Sequence, residues 1–160
     1  MIRVTVSGLA VDSRSNSPVV LLKEIDGERV LPIWIGTAEA SAIAFELRGV
    51  NLKRPLTHDL FKSVLDALGV KLAKVVVSDL IEQTFYAEFF LQMGEKVFKI
   101  DARPSDSIVM ALKHKAPIFV AEKVMGAEAQ AGDEDREKKA QQLRERLQRI
   151  KPEDFGKFTL

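Results

Sequence analysis

The chain contains no cysteine among its 160 residues. This absence excludes disulfides, thiolate zinc sites, iron–sulfur clusters and cysteine nucleophiles. Histidine is almost as scarce, because His58 and His114 are the only two, and a histidine-rich metal site is therefore excluded as well. Catalytic chemistry in this chain has to come mainly from carboxylates, arginines, lysines and hydroxyls.

Long hydrophobic runs are also missing. No apolar run approaches the roughly 18 residues that would span a bilayer. The N-terminal segment has no basic stretch leading into an apolar core, so it does not resemble a signal peptide. We therefore expect no membrane span and a cytoplasmic location. Apolar residues still make up 46% of the chain, which at this length is enough for one domain with a core.

The chain has no excess of charge of either sign. Its 24 basic and 23 acidic residues give a net charge of +1. A protein that grips the backbone of a nucleic acid usually carries a basic excess. The balance argues mildly against tight non-specific binding, although local clusters of arginine could still supply it.

The hydrophobic pattern predicts the element order β-β-β-α-α-β-β-β-α-β. Asp26-Gly27 between two apolar runs indicates a hairpin, and Pro32 predicts that its strand lies at a sheet edge or carries an irregularity. The alternation of apolar residues slips by one position near Ser7 and Gly8, which indicates a bulge. The fold class is therefore α+β, with a mixed, largely antiparallel sheet, three packed helices and an extra helix near the C-terminus.

Three helices are predicted inside the main domain. The first covers residues 37–48, with Thr37 as its cap and Gly49 as its stop. The second begins at Thr57 and ends at Gly69, and the third opens at Arg103 or Ser105.

The composition changes near residue 125. We predict one domain over residues 1–125, followed over residues 126–160 by a small, acidic linker (126–135) and a charged helix (136–150). The narrow apolar stripe of that helix fits a partner helix, and a solvated helix docked on its own domain explains it equally well. Together with the apolar strand faces, the helix favours a homodimer.

Two short segments share a pattern that can carry chemistry. Residues 54–59 and 103–106 each place an arginine, a proline, a hydroxyl residue and an aspartate at a helix start. Any helix N-terminus prefers Pro, Ser, Thr and Asp, so capping alone explains each residue taken singly.

Taken together, the two segments suggest a phosphate site. A helix N-terminus attracts anions, and an arginine can hold a phosphate bidentately. The predicted phosphate-binding residues are Arg54, Arg103, Thr57 and Ser105. The predicted catalytic residues are His58, Asp59, Asp101 and Asp106.

Three separated runs resemble the bifunctional nuclease domain family. They are LPIWIGTAEASAIA (residues 31–44), RPLTHDL (54–60) and DARPSDSIVMAL (101–112), and they follow one another in the same order as in that family. The resemblance covers about residues 1–125, and Ser107 stands where it leads us to expect alanine. It implies a nuclease that cleaves both RNA and DNA with little sequence preference.

Two chemical routes remain open for such a nuclease. In one, Mg²⁺ or Mn²⁺ sits on carboxylates from Asp101, Asp106 and Glu39, with Asp59 as a further candidate, and activates water. In the other, His58 transfers the proton while Arg54 and Arg103 stabilise the developing charge. Neither a paired-aspartate motif nor a pair of histidines decides between them.

Two other functions compete with the nuclease. The balanced charge and the lack of a recognisable catalytic motif favour a non-catalytic module that binds a phosphate-bearing ligand or a protein. A structural dimer, with the two arginine segments forming ion pairs across an interface, is the third hypothesis.

Overall fold

A seven-stranded mixed sheet forms the centre of residues 1–130, the part of the chain that the computed structural model describes, with side chains as far as residue 126. Its strands are β1 (Ile2–Val11), β2 (Pro18–Glu24), β3 (Val30–Trp34), β4 (Lys71–Ile81), β5 (Thr84–Met93), β6 (Lys96–Ala102) and β7 (Ile118–Val120). They lie in the order β3-β2-β1-β7-β4-β5-β6, and only the β4–β7 pair is parallel. The predicted mixed, largely antiparallel sheet is confirmed.

The local turn signals correspond to features of this sheet. Strands β2 and β3 pair antiparallel on either side of Asp26-Gly27. The register of β1 against β2 shifts between Val6 and Gly8, where the sequence predicts a bulge. Pro32 lies in β3, which is an edge strand, so its missing N–H removes no bond from a second neighbour.

Four helices accompany the sheet within the described residues: α1 (Thr37–Arg48), α2 (Thr57–Ala67), α3 (Pro104–His114) and α4 (Glu122–Gln130). Helix α3 contacts β4 and β5 and lies against both α1 and α2, while α1 also contacts β2. No helix in this part of the chain is long and apolar enough to cross a membrane.

The helix ends agree with the sequence pattern except at one cap. Gly36 is the N-cap of α1 and Thr37 is its first helical residue, so the predicted Thr37 cap is wrong. Gly49 ends α1 in the left-handed conformation (φ +64°), which glycine adopts without a steric penalty. Arg103 is the N-cap of α3, and Pro104 occupies the first turn, where its missing N–H costs nothing.

Helix α4 is not predicted by the sequence analysis. It covers the first residues of the segment expected to be a linker, and it is anchored by Val124 and Met125, which are buried against the core. The remainder of that segment and the helix predicted over residues 136–150 lie outside the described residues.

Helix α3 supplies much of the core. Seven of its residues are buried, among them Ile108, Val109 and Met110 with no exposed surface. They pack against β-strand residues that are equally buried, such as Val75, Val77 and Val120. Because α3 is fixed on several sides, the polar residues at its two ends are held in fixed positions.

Ser107 is fully buried, and its Oγ has no hydrogen-bond partner among the described residues. A buried hydroxyl without a partner costs free energy, and alanine is also the better helix former. We expect Ser107→Ala to raise the free energy of unfolding by about 1 kcal/mol in urea denaturation. The neighbouring Ile108→Ala, which opens a cavity, should lower it by about 2–5 kcal/mol. A loss of stability in Ser107→Ala would contradict the orphaned hydroxyl.

Candidate functional site

The first turns of α2 and α3 meet at one hydrogen bond. His58 Nε2 lies 2.9 Å from Asp106 Oδ1, although the two residues are 48 positions apart in sequence. Both side chains are partly buried, with 19% of the His58 side chain and 29% of the Asp106 side chain exposed. The two Arg-Pro helix starts therefore converge in space, as a shared site requires.

Arg103 extends this contact into a chain of four residues. Its Nε and one terminal nitrogen donate to the two carboxylate oxygens of Asp106 at 2.7 and 3.2 Å, in a bidentate arrangement. Its other terminal nitrogen donates to Glu39 at 3.0 Å. We call Glu39, Arg103, Asp106 and His58 the Arg103 chain.

The charge state of Asp106 follows from these contacts. Burial raises the pKa of its carboxyl, but the hydrogen bonds from Arg103 and His58 outweigh burial and hold the pKa below its ordinary value. Asp106 is therefore ionised at neutral pH. The Asp106 carboxylate in turn raises the pKa of the Arg103 guanidinium.

A second charged cluster lies on the other side of the α2 N-terminus. The Lys113 ammonium, with only 10% of its side chain exposed, donates to Glu46 and to Asp59. Asp59 also accepts the backbone N–H of Leu56 at 2.8 Å, which caps α2. We call Glu46, Asp59 and Lys113 the Lys113 cluster.

Two members of the Lys113 cluster, Asp59 and Lys113, have pKa values shifted in the directions that favour their charged forms. The hydrogen bond from Lys113, followed by that from the Leu56 N–H, lowers the pKa of Asp59. Burial lowers the pKa of Lys113, but its bonds to Asp59 and Glu46 reverse this and raise the pKa overall.

A cavity of about 260 Å³ adjoins both groups. Its polar lining includes His58, Asp59, Glu46, Lys113 and Asn51. The apolar lining comes from Ala42, Phe45, Val50, Leu52, Pro55, Leu56 and Val109. His58 thus belongs both to the cavity wall and to the Arg103 chain.

The remaining predicted phosphate ligands differ in their accessibility. Arg54 is exposed and has no hydrogen bond or ion pair within residues 1–130. Thr57 is exposed at the first position of α2. Ser105 is buried, with only 6% of its surface exposed. Of these three residues, Arg54 and Thr57 therefore face solvent.

Asp101 is not brought to the Arg103 chain. It is exposed near the end of β6, directly opposite Glu88 of β5, and has no hydrogen bond or ion pair among the described residues. Its neighbour Arg103 points to Glu39 and Asp106 instead. The four predicted catalytic residues thus divide: His58 and Asp106 touch, Asp59 belongs to the Lys113 cluster, and Asp101 stands apart.

The carboxylates predicted to hold a divalent cation do not fit a preformed metal site. Glu39 and Asp106 both face the Arg103 guanidinium, so a cationic group already stands between them. Over residues 1–130, no group of three or more His, Asp or Glu side chains is placed to hold a metal ion.

The second histidine lies away from the Arg103 chain. His114 ends α3, and burial followed by repulsion from Lys62 lowers its pKa, so it is neutral at pH 7. His58 is the histidine that adjoins both the cavity and the Arg103 chain.

Sequence reasoning missed Lys113 and Glu46. Lys113 sits in a run with His114 and Lys115, which the sequence suggests is a cationic helix end. Its partners come from two other helices, Glu46 from α1 and Asp59 from α2. No local pattern links three residues separated by 54 and 67 positions, so only the packing of the helices could have revealed them.

Comparison with known proteins places these residues in a family. The sequence profile of the bifunctional nuclease domain matches residues 20–132, which include every residue of the Arg103 chain and the Lys113 cluster. The chain belongs to the bifunctional nuclease domain family.

The relatives of this bifunctional nuclease domain include a mycobacterial protein that matches over nearly its whole length and plant proteins that match over about a third of theirs. An uncharacterized protein of Mycobacterium tuberculosis is 44% identical over 164 residues, which cover 95% of this chain and 96% of the relative. Bifunctional nuclease 2 of Oryza sativa subsp. japonica is 30% identical over 71% of this chain but only 36% of its own length. Bifunctional nuclease 1 of Arabidopsis thaliana is 28% identical over 64% of this chain and 33% of its own length.

The Lys113 cluster yields a prediction about stability. Lys113→Met removes the ammonium but keeps most of the side-chain volume, so Asp59 and Glu46 lose their partner. We expect the free energy of unfolding at pH 7 to fall by about 1–3 kcal/mol in urea denaturation. Lys62→Met, which breaks the exposed Lys62–Asp66 pair on α2, should cost less than about 1 kcal/mol.

The difference in the free energy of unfolding between wild type and Lys113→Met should decrease at both low and high pH. The lowered pKa of Asp59 gives stability that is lost as pH falls below about 4. The raised pKa of Lys113 gives stability that is lost as pH rises above about 10.5. The gap between wild type and Lys113→Met should therefore narrow at both extremes. A gap that stays constant from pH 3 to pH 7 would contradict this assignment.

Proposed function

We propose that this chain is a nuclease that hydrolyses phosphodiester bonds in RNA and DNA with little sequence preference. The observation that supports it best is the 2.9 Å contact between His58 and an Asp106 carboxylate that Arg103 also holds. His58, Asp106 and Arg103 meet where two helices begin, and this arrangement supports assigning them the roles of proton-transfer group, orienting carboxylate and phosphate-binding cation. The names of the rice and Arabidopsis relatives support the same activity.

His58 is the proposed acid–base residue. Its Nε2 faces the ionised Asp106, which favours the proton on Nε2 and leaves the lone pair on Nδ1. Nδ1 has no hydrogen-bond partner among residues 1–130. In the proposed reaction Nδ1 takes a proton from the water that attacks phosphorus, and Asp106 stabilises the imidazolium that forms. The P–O bond to the leaving oxygen then breaks, and the imidazolium returns the proton to that oxygen.

The arginines are the proposed phosphate ligands. The Arg103 side chain is 65% exposed, so its guanidinium can contact a substrate phosphate while its bonds to Asp106 hold it in place. Arg54 is exposed without a partner in the described part of the chain, which leaves its fork of donors available. Exposed N–H groups in the first turn of α2 add a third attraction for the anion.

Low sequence preference is consistent with this arrangement. The proposed contacts reach phosphate oxygens, which every nucleotide shares, and such contacts position a nucleic acid without distinguishing its bases. The net charge of +1 indicates that affinity comes from the local arginines and not from the overall field.

Mg²⁺ or Mn²⁺ remains a prediction from the sequence. We route no step through it, because the guanidinium of Arg103 stands between Glu39 and Asp106 in this structure. The cytoplasmic location also remains a prediction, consistent with a chain that has no cysteine. We further propose that the nuclease is a homodimer.

A non-catalytic module that binds phosphate ligands or a protein is the second candidate. The observation in its favour is that each carboxylate of the Arg103 chain and the Lys113 cluster is already paired with a cation. Such pairing suits a rigid binding surface. The nuclease hypothesis requires in addition that bound nucleic acid is cleaved, with His58 transferring the proton.

Cleavage of labelled single-stranded RNA and DNA by the full chain tests the proposal. We expect His58→Ala and Asp106→Asn each to lower the cleavage rate at least about 100-fold, because the pair acts in proton transfer. The double variant should lose little more than either single variant, since the two residues act as a unit. Arg103→Ala should weaken cleavage, whereas Arg14→Ala, an exposed arginine in the loop after β1, should change it less than twofold.

The same assay with Mg²⁺, Mn²⁺ and EDTA decides between the two routes. Loss of cleavage in EDTA would select the metal route, and cleavage that persists would select direct catalysis by His58 and the arginines. Unchanged cleavage in both His58→Ala and Asp106→Asn would refute the assignment. Binding of nucleic acid without cleavage, lost in Arg54→Ala and Arg103→Ala, would select the binding module.

A further inference from the structure

The two edges of the sheet differ in how well they are protected. At one edge, β3 contains Pro32, a residue that disfavours pairing with another strand. At the other edge, the seven-residue β6 contains no proline, and within residues 1–130 its outer side has no paired strand. Strand β6 is therefore the edge that can accept a further strand.

Strand β6 also exposes apolar side chains. Val97, Phe98 and Ile100 are 62%, 40% and 44% exposed. Ile100 lies directly opposite Phe89 of β5, and Phe89 contacts Phe61 of α2 with 6.1 Å between ring centroids. Phe98 and Ile100 thus share the face of the sheet on which α2 packs.

Helix α2 continues this apolar surface. Phe61 is 38% exposed and Val64 is 45% exposed, even though α2 packs against α3 and its Phe61 contacts Phe89 of β5. We call Phe98, Ile100, Phe61 and Val64 the β6–α2 surface. A surface formed by one edge strand and the adjacent helix is suited to burial against a second sheet edge of the same kind.

On the opposite face of the sheet, β6 and β5 carry two neighbouring acidic side chains, and one of them is paired with a lysine. Asp101 and Glu88 are directly opposite each other across β6 and β5, where like charges are destabilising. Lys99 bonds to Glu88 at 2.7 Å, which leaves Asp101 without a cation in the described part of the chain. A further lysine beside Asp101 would remove this imbalance.

We propose that β6 pairs antiparallel with β6 of a second copy of the chain, about a two-fold axis at Ile100. Directly opposite residues in an antiparallel pair lie on the same face, so this axis places Ile100 opposite the partner's Ile100 and Phe98 opposite the partner's Ala102. On the other face it places Lys99 opposite the partner's Asp101, and the same ion pair forms twice.

Neighbouring registers lack this complementarity. An axis at Lys99 places the two lysines opposite each other, and an axis at Phe98 places Lys99 opposite the partner's Val97. Of the axes at Phe98, Lys99 and Ile100, the one at Ile100 pairs apolar residues on one face and opposite charges on the other. The sequence of β6 is thus complementary to itself, which selects a second copy as the occupant of this edge. This inference does not depend on the nuclease proposal.

Engineered cysteines test the register directly, because the wild-type chain has none. In Ile100→Cys the two introduced side chains lie opposite each other, with Cβ atoms about 4.5–5.5 Å apart. Mild oxidation, or a short bis-maleimide, should therefore link most of the full-length protein into dimers. In the matched control Val97→Cys, on the same strand and more exposed, the two thiols lie about 20 Å apart and should link poorly.

Charge exchange tests the ion pairs independently. In analytical ultracentrifugation the wild type should be a dimer, and Lys99→Glu or Asp101→Lys alone should raise its dissociation constant about tenfold or more. The double exchange should restore the constant to within about threefold of wild type, since the pairs re-form with reversed sign. A monomeric wild type, equal linking of both cysteine variants, or no restoration by the double exchange would each overturn the proposal. A monomer would indicate that another segment or another protein covers β6.

Discussion

Helix α3 is held on three sides, by β4 and β5 beneath it and by α1 and α2 beside it. Seven of its residues are buried, so rotating or sliding the helix would expose apolar surface and cost several kcal/mol, at about 25 cal/mol for each Å². The same packing fixes the positions of Arg103 and Asp106 at the start of α3 and of Lys113 near its end. Both charged groups of the candidate site are therefore positioned by apolar packing.

The two cations on α3 serve different surroundings. Lys113 is largely buried and holds Asp59, which in turn caps the helix that carries His58. Arg103 is mostly exposed and holds Asp106, which contacts His58 directly. One cation thus stabilises the N-terminus of α2, and the other faces solvent where a phosphate can approach. This division suits the Lys113 cluster to a structural role and the Arg103 chain to the chemical role that we propose.

Membership of the bifunctional nuclease domain family is consistent with these roles for the Lys113 cluster and the Arg103 chain. The mycobacterial relative matches over nearly its whole length, whereas the plant bifunctional nucleases match over about a third of theirs. The domain itself is therefore what the relatives share with this chain. Within it, Asp101 is better explained by the edge strand than by the site, because it lies directly opposite Glu88 of β5 while Arg103 bonds to Glu39 and Asp106.

Much of the fold could be predicted because its signals are local. The Asp26-Gly27 turn, the slip at Gly8, the edge position of Pro32 and the stop at Gly49 each depend on the conformational limits of one or two residues. The α1 cap was missed because Gly36 offers no side-chain signal. Helix α4 was missed because its small, acidic sequence also suits a linker, whereas the burial of Val124 and Met125 and the ion pairs of Glu122 and Lys123 that anchor it are tertiary contacts.

By itself, the sequence determined the order of the seven strands and the first three helices, the two polar helix starts and the absence of cysteine chemistry. Only the tertiary structure decided which polar residues meet. In that structure His58 bonds to Asp106, Asp59 pairs with Lys113, and Asp101 lies on the edge strand. The reason is that backbone conformation depends on neighbours in sequence, whereas ion pairs across helices depend on how buried surfaces pack, which no short pattern encodes.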